Sequence, residues 1–158
     1  MKKLFYLLAA LPLFFLSSCS DDDKLPDVDL TVTFENCSID QEDNSVYVVK
    51  GESFDIASVA LVVNEDKKGE LGVVNYYLDG FRVGASVMSP YSQTFSTENL
   101  SVGSYLLNIE AGIYVVDYPV CVGVVGYTIK VVSDASEIPS TAVPNPSVSG
   151  NVRVTSGK

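Results

Sequence analysis

An Asp-Gly pair placed directly after an alternating apolar run constrains this chain more than any other feature. Val74, Tyr76 and Leu78 occupy every second position, and Asp79-Gly80 follows them. Alternation with a period of two is typical of a strand with one buried face. Asp-Gly readily supplies the positive φ angles of a tight hairpin turn. The stretch therefore predicts a β-hairpin.

Similar short runs recur along the chain. Residues 28–34 alternate in the same way, and residues 104–111 and 126–132 form two strong runs near the end. The longest run, 53–63, changes phase near Ala57-Ser58, which predicts a β-bulge. Seven or eight such strands with turn residues between them and no helical period predict an all-β antiparallel sandwich.

The last residues differ in composition. Residues 134–158 are rich in Ser, Pro and Thr, and such a composition predicts a flexible tail. The alternative is an added edge strand carrying Val148, Val152 and Val154.

Composition also excludes several functions. The 158 residues include no His, which is the usual proton carrier near neutral pH and the commonest metal ligand. Its absence removes Ser-His and Cys-His catalysis. A net charge of −10 argues against nucleic acid, whose phosphates need clustered Lys and Arg. We expect a protein that is not an enzyme, with no catalytic residue, cofactor or metal site.

The N-terminus has the form of a secretion signal. Lys2 and Lys3 precede an apolar segment, 4–16, that is too short to span a bilayer comfortably. The sequence LSSC at 16–19 then resembles the bacterial lipobox, in which the Cys is acylated. The resemblance implies a signal peptide at 1–18 and a lipid anchor on Cys19; the alternative is an ordinary signal peptide with an incidental Cys.

An acidic run follows the predicted anchor. Ser20, Asp21, Asp22 and Asp23 resemble the surface-export signal of Bacteroidetes lipoproteins. The resemblance implies an outer-membrane protein that faces the cell exterior. The alternative is a solvated charged tether, which acidic runs commonly form. In either case residues 19–26 are an acylated tether.

The hairpin region also resembles a known fold family. Residues 73–109 match the bacterial Ig-like domains of extracellular proteins, which read strand-Asp-Gly, then VG, PY and L-x-x-G-x-Y-x-L. Here these motifs are Asp79-Gly80, Val83-Gly84, Pro90-Tyr91 and residues 100–107. The resemblance implies one Ig-like, fibronectin-III-like sandwich over residues 27–133. The whole chain also resembles small Bacteroidetes surface lipoproteins of unassigned activity.

The motif residues have structural explanations. Asp79 and Gly80 form the tight turn, and Gly103 permits a corner before the next strand. Tyr105 fits a tyrosine corner, in which its hydroxyl bonds to upstream backbone; a plain core Tyr is the alternative.

Two other sets of residues, the remaining cysteines and an acidic loop, have ordinary structural explanations. Cys37 and Cys121 are expected near opposite ends of the sandwich, too far apart for a disulfide, which needs Cα atoms within roughly 7 Å. The loop 64–70 carries carboxylates without calcium-loop spacing, and Lys67 and Lys68 interrupt them. A solvated hairpin tip is therefore expected there.

The connection 112–123 (GIYVVDYPVCVG) is long and apolar for a loop. Either it extends the flanking strands, or it offers an apolar patch to a partner, with Tyr114, Tyr118 and Pro119 as candidate binding residues. In an Ig-like topology this connection and residues 64–72 lie at the same end as the N-terminus, so that end should face the membrane.

The function expected from the sequence is a non-catalytic, lipid-anchored interaction or accessory module. Its expected partners are the membrane, through acyl chains on Cys19, and a neighbouring surface protein or a glycan. The alternative is a carbohydrate-binding module that uses exposed Tyr residues.

Overall fold

Twelve strands in two sheets account for most of the described chain. The computed structural model describes residues 25–40 and 42–156. In chain order the strands are β1 (Val28–Glu35), β2 (Ser38–Asp40), β3 (Ser45–Val49), β4 (Ser53–Val63), β5 (Gly69–Leu78), β6 (Phe81–Ser86), β7 (Gln93–Ser96), β8 (Gly103–Val115), β9 (Cys121–Val132), β10 (Ala142–Pro144), β11 (Ser147–Asn151) and β12 (Arg153–Ser156). A short 3₁₀ helix, Ala135–Glu137, precedes β10.

The strand order is that of an Ig-like sandwich. The first sheet runs β11-β1-β4-β7, and the second runs β10-β2-β3-β9-β8-β5-β6 with β12 also on β9. All pairings are antiparallel except that of β3 with β9. The three-stranded unit β1-β4-β7 facing β9-β8-β5-β6 is the fibronectin-III-like arrangement. The predicted fold class is therefore confirmed, with more strands than the seven or eight expected.

The core lies between the sheets and follows the alternation seen in the sequence. Every second residue of β1 is buried, and Leu30, Val32 and Phe34 are fully inaccessible. Phe34 meets Tyr127 of the opposite sheet edge-on, with ring centroids 5.0 Å apart. Side chains from the two inner faces thus interdigitate, and their burial is the main source of stability.

A bulge interrupts the pairing of β1 with β4. Thr33 lies opposite Ser58, whereas Phe34 lies opposite Ile56, so Ala57 is left without a partner. The extra residue shifts the inward-facing positions of β4 by one. The bulge therefore occurs where the alternation of the sequence changes phase.

The segment predicted to be a flexible tail is instead built into both sheets. β10 pairs with β2, β11 with β1 and β12 with β9. The hydroxyls of Ser149 and Ser147 bond those of Thr31 and Thr33 at 2.9 and 3.0 Å. The added-edge-strand alternative is therefore the one that the structure shows: Val148 lies in β11 and Val154 in β12. The sandwich thus extends beyond residue 133.

Candidate functional site

Three segments of the chain meet at one end of the sandwich, which we call the loop end: residues 25–27, 64–68 and 116–120. The amide of Asn64 donates to the carbonyl of Asp27 at 2.9 Å. The Asn64 side-chain amide donates to the carboxylates of Asp27 and Asp29 at 3.2 and 3.0 Å. The N-terminal residues of the described chain are therefore fixed beside the β4–β5 connection.

The connection 112–123 is mostly strand, as the first alternative predicts. β8 continues to Val115 and β9 begins at Cys121. Only residues 116–120 form a loop. The exposed apolar residues that favoured the second alternative are nevertheless present: Val116 and Val120 lie on this loop, and Tyr114 lies near the end of β8.

Tyr118 is fixed in a polar network at the loop end. Its hydroxyl lies 2.7 Å from both carboxylate oxygens of Glu65. The Lys67 ammonium lies 4.3 Å from the centre of the Tyr118 ring and 3.6 Å from the Asp117 carboxylate. The hydrogen bond to Glu65 raises the pKa of the Tyr118 phenol. This network joins the two loops and covers one face of the ring.

Beside this network lies a shallow apolar groove, formed by Tyr114, Val116 and Val120 with Lys68 and Glu70 at its rim. The three apolar residues are 51%, 57% and 51% exposed. The groove encloses about 600 Å³. Its exposed side chains are more apolar than a solvated loop requires.

Gly72 explains how Tyr114 is held. A β-carbon at Gly72 would lie 2.6 Å from Cε2 of Tyr114. The ring therefore rests against the backbone of β5 where a larger residue would displace it. Pro119, the third residue predicted to bind a partner, is exposed on the loop next to Tyr118.

The predicted turn residues lie at the other end of the molecule. Asp79 and Gly80 have φ angles of 49° and 81°, and Gly103 has a φ of 151°. The Tyr105 hydroxyl donates to the Ser101 carbonyl at 2.9 Å, which is the geometry of a tyrosine corner. These four residues shape the fold and do not contact the loop end.

Two tyrosines make a connection that the sequence does not reveal. The Tyr76 hydroxyl donates to the carbonyl of Tyr91, and the Tyr91 hydroxyl donates to the carbonyl of Leu71 at 2.8 Å. Burial raises the pKa of Tyr76 to about 12. Tyr91 is therefore a structural link between the β6–β7 connection and β5, and not a free surface aromatic.

The two cysteines of the described chain are buried in different places. Cys37 packs in the main core cluster, and Cys121 packs with Val28, Ile113 and Val115. Both are free thiols. Burial raises the pKa of Cys37 to about 12 and also raises that of Cys121. Neither is a thiolate near neutral pH, so neither has the reactivity of a nucleophile.

The chemistry offered by the loop end is apolar contact and hydrogen bonding. Across residues 25–40 and 42–156, no group of three or more Cys, Asp and Glu side chains is placed to hold a metal ion. The same residues contain no helix long and apolar enough to cross a membrane. The predicted anchor Cys19 and the export residues Ser20, Asp21, Asp22 and Asp23 lie outside the described residues.

The strand order and the paired sheets define an Ig-like β-sandwich domain. No protein-family model matches the chain, and no curated protein matches it. Among solved structures, it is similar to the fibronectin(III)-like modules of Clostridium thermocellum CbhA, with 18% sequence identity and a TM-score of 0.38. That match covers 56% of this chain and 88% of the other.

Proposed function

We propose that this protein is a non-catalytic, lipid-anchored interaction module of a bacterial outer membrane, exposed to the cell exterior. The observation that carries the proposal is the groove of Tyr114, Val116 and Val120 at the loop end. It lies at the same end of the sandwich as residues 25–27, which lead to the predicted anchor at Cys19.

The tether sets how far this groove lies from the membrane. About eight residues separate the predicted anchor from β1, and a fully extended chain of that length reaches at most about 28 Å. The loop end therefore faces the bilayer, and a protein seated in the same membrane is within reach. We propose such a neighbouring membrane protein as the occupant of the groove.

Carbohydrate binding, the alternative from the sequence, has less support from the geometry. A sugar ring stacks on an open aromatic face, but the Lys67 ammonium covers one face of Tyr118 and the hydroxyl is engaged by Glu65. Tyr114 lies against Gly72. The exposed groove residues are mainly aliphatic, which suits a protein surface better than a hydroxyl-rich ligand.

Affinity purification of the full chain from detergent-solubilised outer membranes tests the proposal. The test variant carries Tyr114→Ser and Val120→Ser. A matched control carries Phe81→Ser and Val87→Ser, which change residues that are 78% and 69% exposed and lie away from the loop end. A membrane protein should co-purify with the wild type and the control and be lost from the groove variant.

Two outcomes oppose the proposal. If no membrane protein is recovered, or if both variants lose it equally, the groove is not the interaction surface. If no protein is recovered and a glycan array shows binding that requires Tyr114, the carbohydrate-binding alternative replaces the proposal.

A further inference from the structure

One side of the sandwich contains a gap in an otherwise paired strand edge. β8 pairs with β9 along most of its length. On the opposite edge of β9, β3 pairs with Thr128–Val132 and β12 pairs with Cys121–Val124. Among the described strands, none pairs with Val125, Gly126 or Tyr127 on that edge.

The path of the chain accounts for this gap. β11 belongs to the first sheet, where Gly150 lies opposite Leu30. The chain then crosses at Val152 and joins the second sheet at Arg153. The residues before Arg153 therefore cannot continue β12 along β9, because they are already paired with β1.

A cavity of about 540 Å³ opens at the gap, a size within the range of about 300–1,000 Å³ that is common for ligand sites. Besides β9, its wall includes Asn44, Asn108, Val148, Gly150 and Arg153. Polar side chains thus stand around an apolar floor.

Tyr127 brings a buried polar group to this cavity. The residue is 3% exposed, and its hydroxyl has no hydrogen-bond partner among the described residues. A β-carbon at Gly150 would lie 3.6 Å from that hydroxyl, which places the hydroxyl beside another lining residue. Buried polar groups are normally paired, so an unpaired buried hydroxyl on a residue that lines the cavity points to a ligand.

Arg153 places a positive charge at the edge of this cavity. Its side chain is exposed and forms neither an ion pair nor a hydrogen bond with any described residue, although its main chain pairs with Val124. It also borders a second hollow on the outer sheet face, with Asn108, Glu110 and Val124. Glu110 is an acidic residue that borders this hollow together with Arg153. Asp43, near the other end of the gap, forms an ion pair with Lys130 at 3.1 Å.

We propose that this gap binds the carboxyl-terminal residues of an extended peptide. Three residues, spanning about 10 Å at the usual rise, would pair with Val125–Tyr127 by strand addition. If the peptide runs antiparallel to β9, as β12 does, its last residue lies next to Arg153. The terminal carboxylate then meets the guanidinium, and the Tyr127 hydroxyl gains a backbone partner.

A titration of the isotope-labelled full chain with trialanine, followed by NMR, tests this proposal. Trialanine should shift the amide signals of Val125, Gly126 and Tyr127. The C-terminal amide of trialanine should bind about tenfold more weakly, since it lacks the charge that pairs with Arg153. Arg153→Gln should weaken trialanine binding to the same extent, whereas Arg82→Gln, which changes the other arginine of the chain, should leave it unchanged.

Tyr127→Phe tests whether the Tyr127 hydroxyl contributes to binding without also changing the fold. The hydroxyl has no partner in the described chain, so the variant should keep its fold while trialanine binds more weakly. The proposal is overturned if trialanine shifts none of the three amides. It is also overturned if the wild type binds the amide form, and Arg153→Gln binds trialanine, as tightly as the wild type binds trialanine. It is also overturned if acetate alone reproduces the shifts, because the site would then hold only a small anion.

Discussion

The main-chain amide of Leu106 donates a 2.7 Å hydrogen bond to Oδ1 of Asp79, and the amide of Asp79 donates to the carbonyl of Leu106 at 2.8 Å. Each residue thus provides a hydrogen-bond acceptor for the main-chain amide of the other. Asp79 also holds the first positive φ angle of the β5–β6 turn. One side chain therefore fixes both the turn and its distance from β8.

Asp79→Ala should lower the free energy of unfolding by about 1–2 kcal/mol, because it removes the acceptor for the Leu106 amide and places Ala at a positive φ. Chemical denaturation of the purified chain measures this change. Asp79→Asn is the control, since Asn keeps an acceptor and tolerates the left-handed region. Equal loss in both variants would show that the carboxylate charge matters more than the turn geometry.

Tyr105→Phe should cost roughly 1 kcal/mol or more, because the variant leaves the Ser101 carbonyl without its side-chain donor. The difference between thermal or urea unfolding curves measures it. Tyr77→Phe is a suitable comparison, since the Tyr77 hydroxyl makes no hydrogen bond to any described residue. A neutral Tyr105→Phe would mean that the corner contributes no stability.

Thr97 is a buried polar residue that anchors the β3–β4 turn. Its hydroxyl accepts from the Gly51 amide at 2.9 Å and lies 2.7 Å from the Glu52 carbonyl. Thr97→Val keeps the shape but leaves the Gly51 amide without its acceptor, while the Glu52 carbonyl keeps only the Thr97 main-chain amide as a donor. This loss should lower the free energy of unfolding by about 2 kcal/mol. Thr97→Ser, which keeps the hydroxyl, should lose much less. Similar denaturation midpoints for the two variants would contradict this role.

Alkaline pH should destabilise the fold through Cys37. Burial raises its pKa from 9.0 to about 12, so the unfolded chain releases this proton more readily than the folded chain. The stability contribution is complete below pH 9 and is lost as pH rises toward 12, by up to about 1.4 kcal/mol per pH unit. Urea unfolding across this window should show a shallower decline for Cys37→Ala than for the wild type; parallel declines would exclude the effect.

Cys19→Ala should lower the share of the protein in the membrane fraction, because the proposed acyl chains are its direct attachment to the lipid. Fractionation of cells and metabolic labelling with a fatty acid measure the change. Replacing Asp21, Asp22 and Asp23 by Ala is the matched comparison: lipid labelling should persist, while protease applied to whole cells should no longer remove the protein. Retained labelling in Cys19→Ala would disprove the anchor.

The features that sequence reasoning found are local ones. Alternation identifies β1, β5 and β8, and the change of phase near Ala57 marks the bulge, because each depends on neighbouring residues alone. The Asp79-Gly80 turn follows from the φ angles that these two residues tolerate.

The features that it missed depend on residues far apart in the chain. Ser149 bonds Thr31 across 118 positions, and Tyr118 bonds Glu65 across 53. The alternation of Val148, Val152 and Val154 allowed an added edge strand, but nothing in residues 134–158 indicates that β1 is the strand whose free edge they meet. The cavity beside Tyr127 arises from the same crossing of the chain, so it too was beyond reach of the sequence.

The pairing of β11 with β1 also sets an order of events. Residues 147–151 are synthesised long after residues 28–35, and until they arrive the outer edge of β1 has no neighbour from its own chain. An open strand edge invites pairing with another copy, and incomplete chains are prone to aggregate for this reason. β11 therefore covers the open edge of β1 only when synthesis is nearly finished. A chain that stops before residue 147 should be insoluble even though it contains strands β1 to β9.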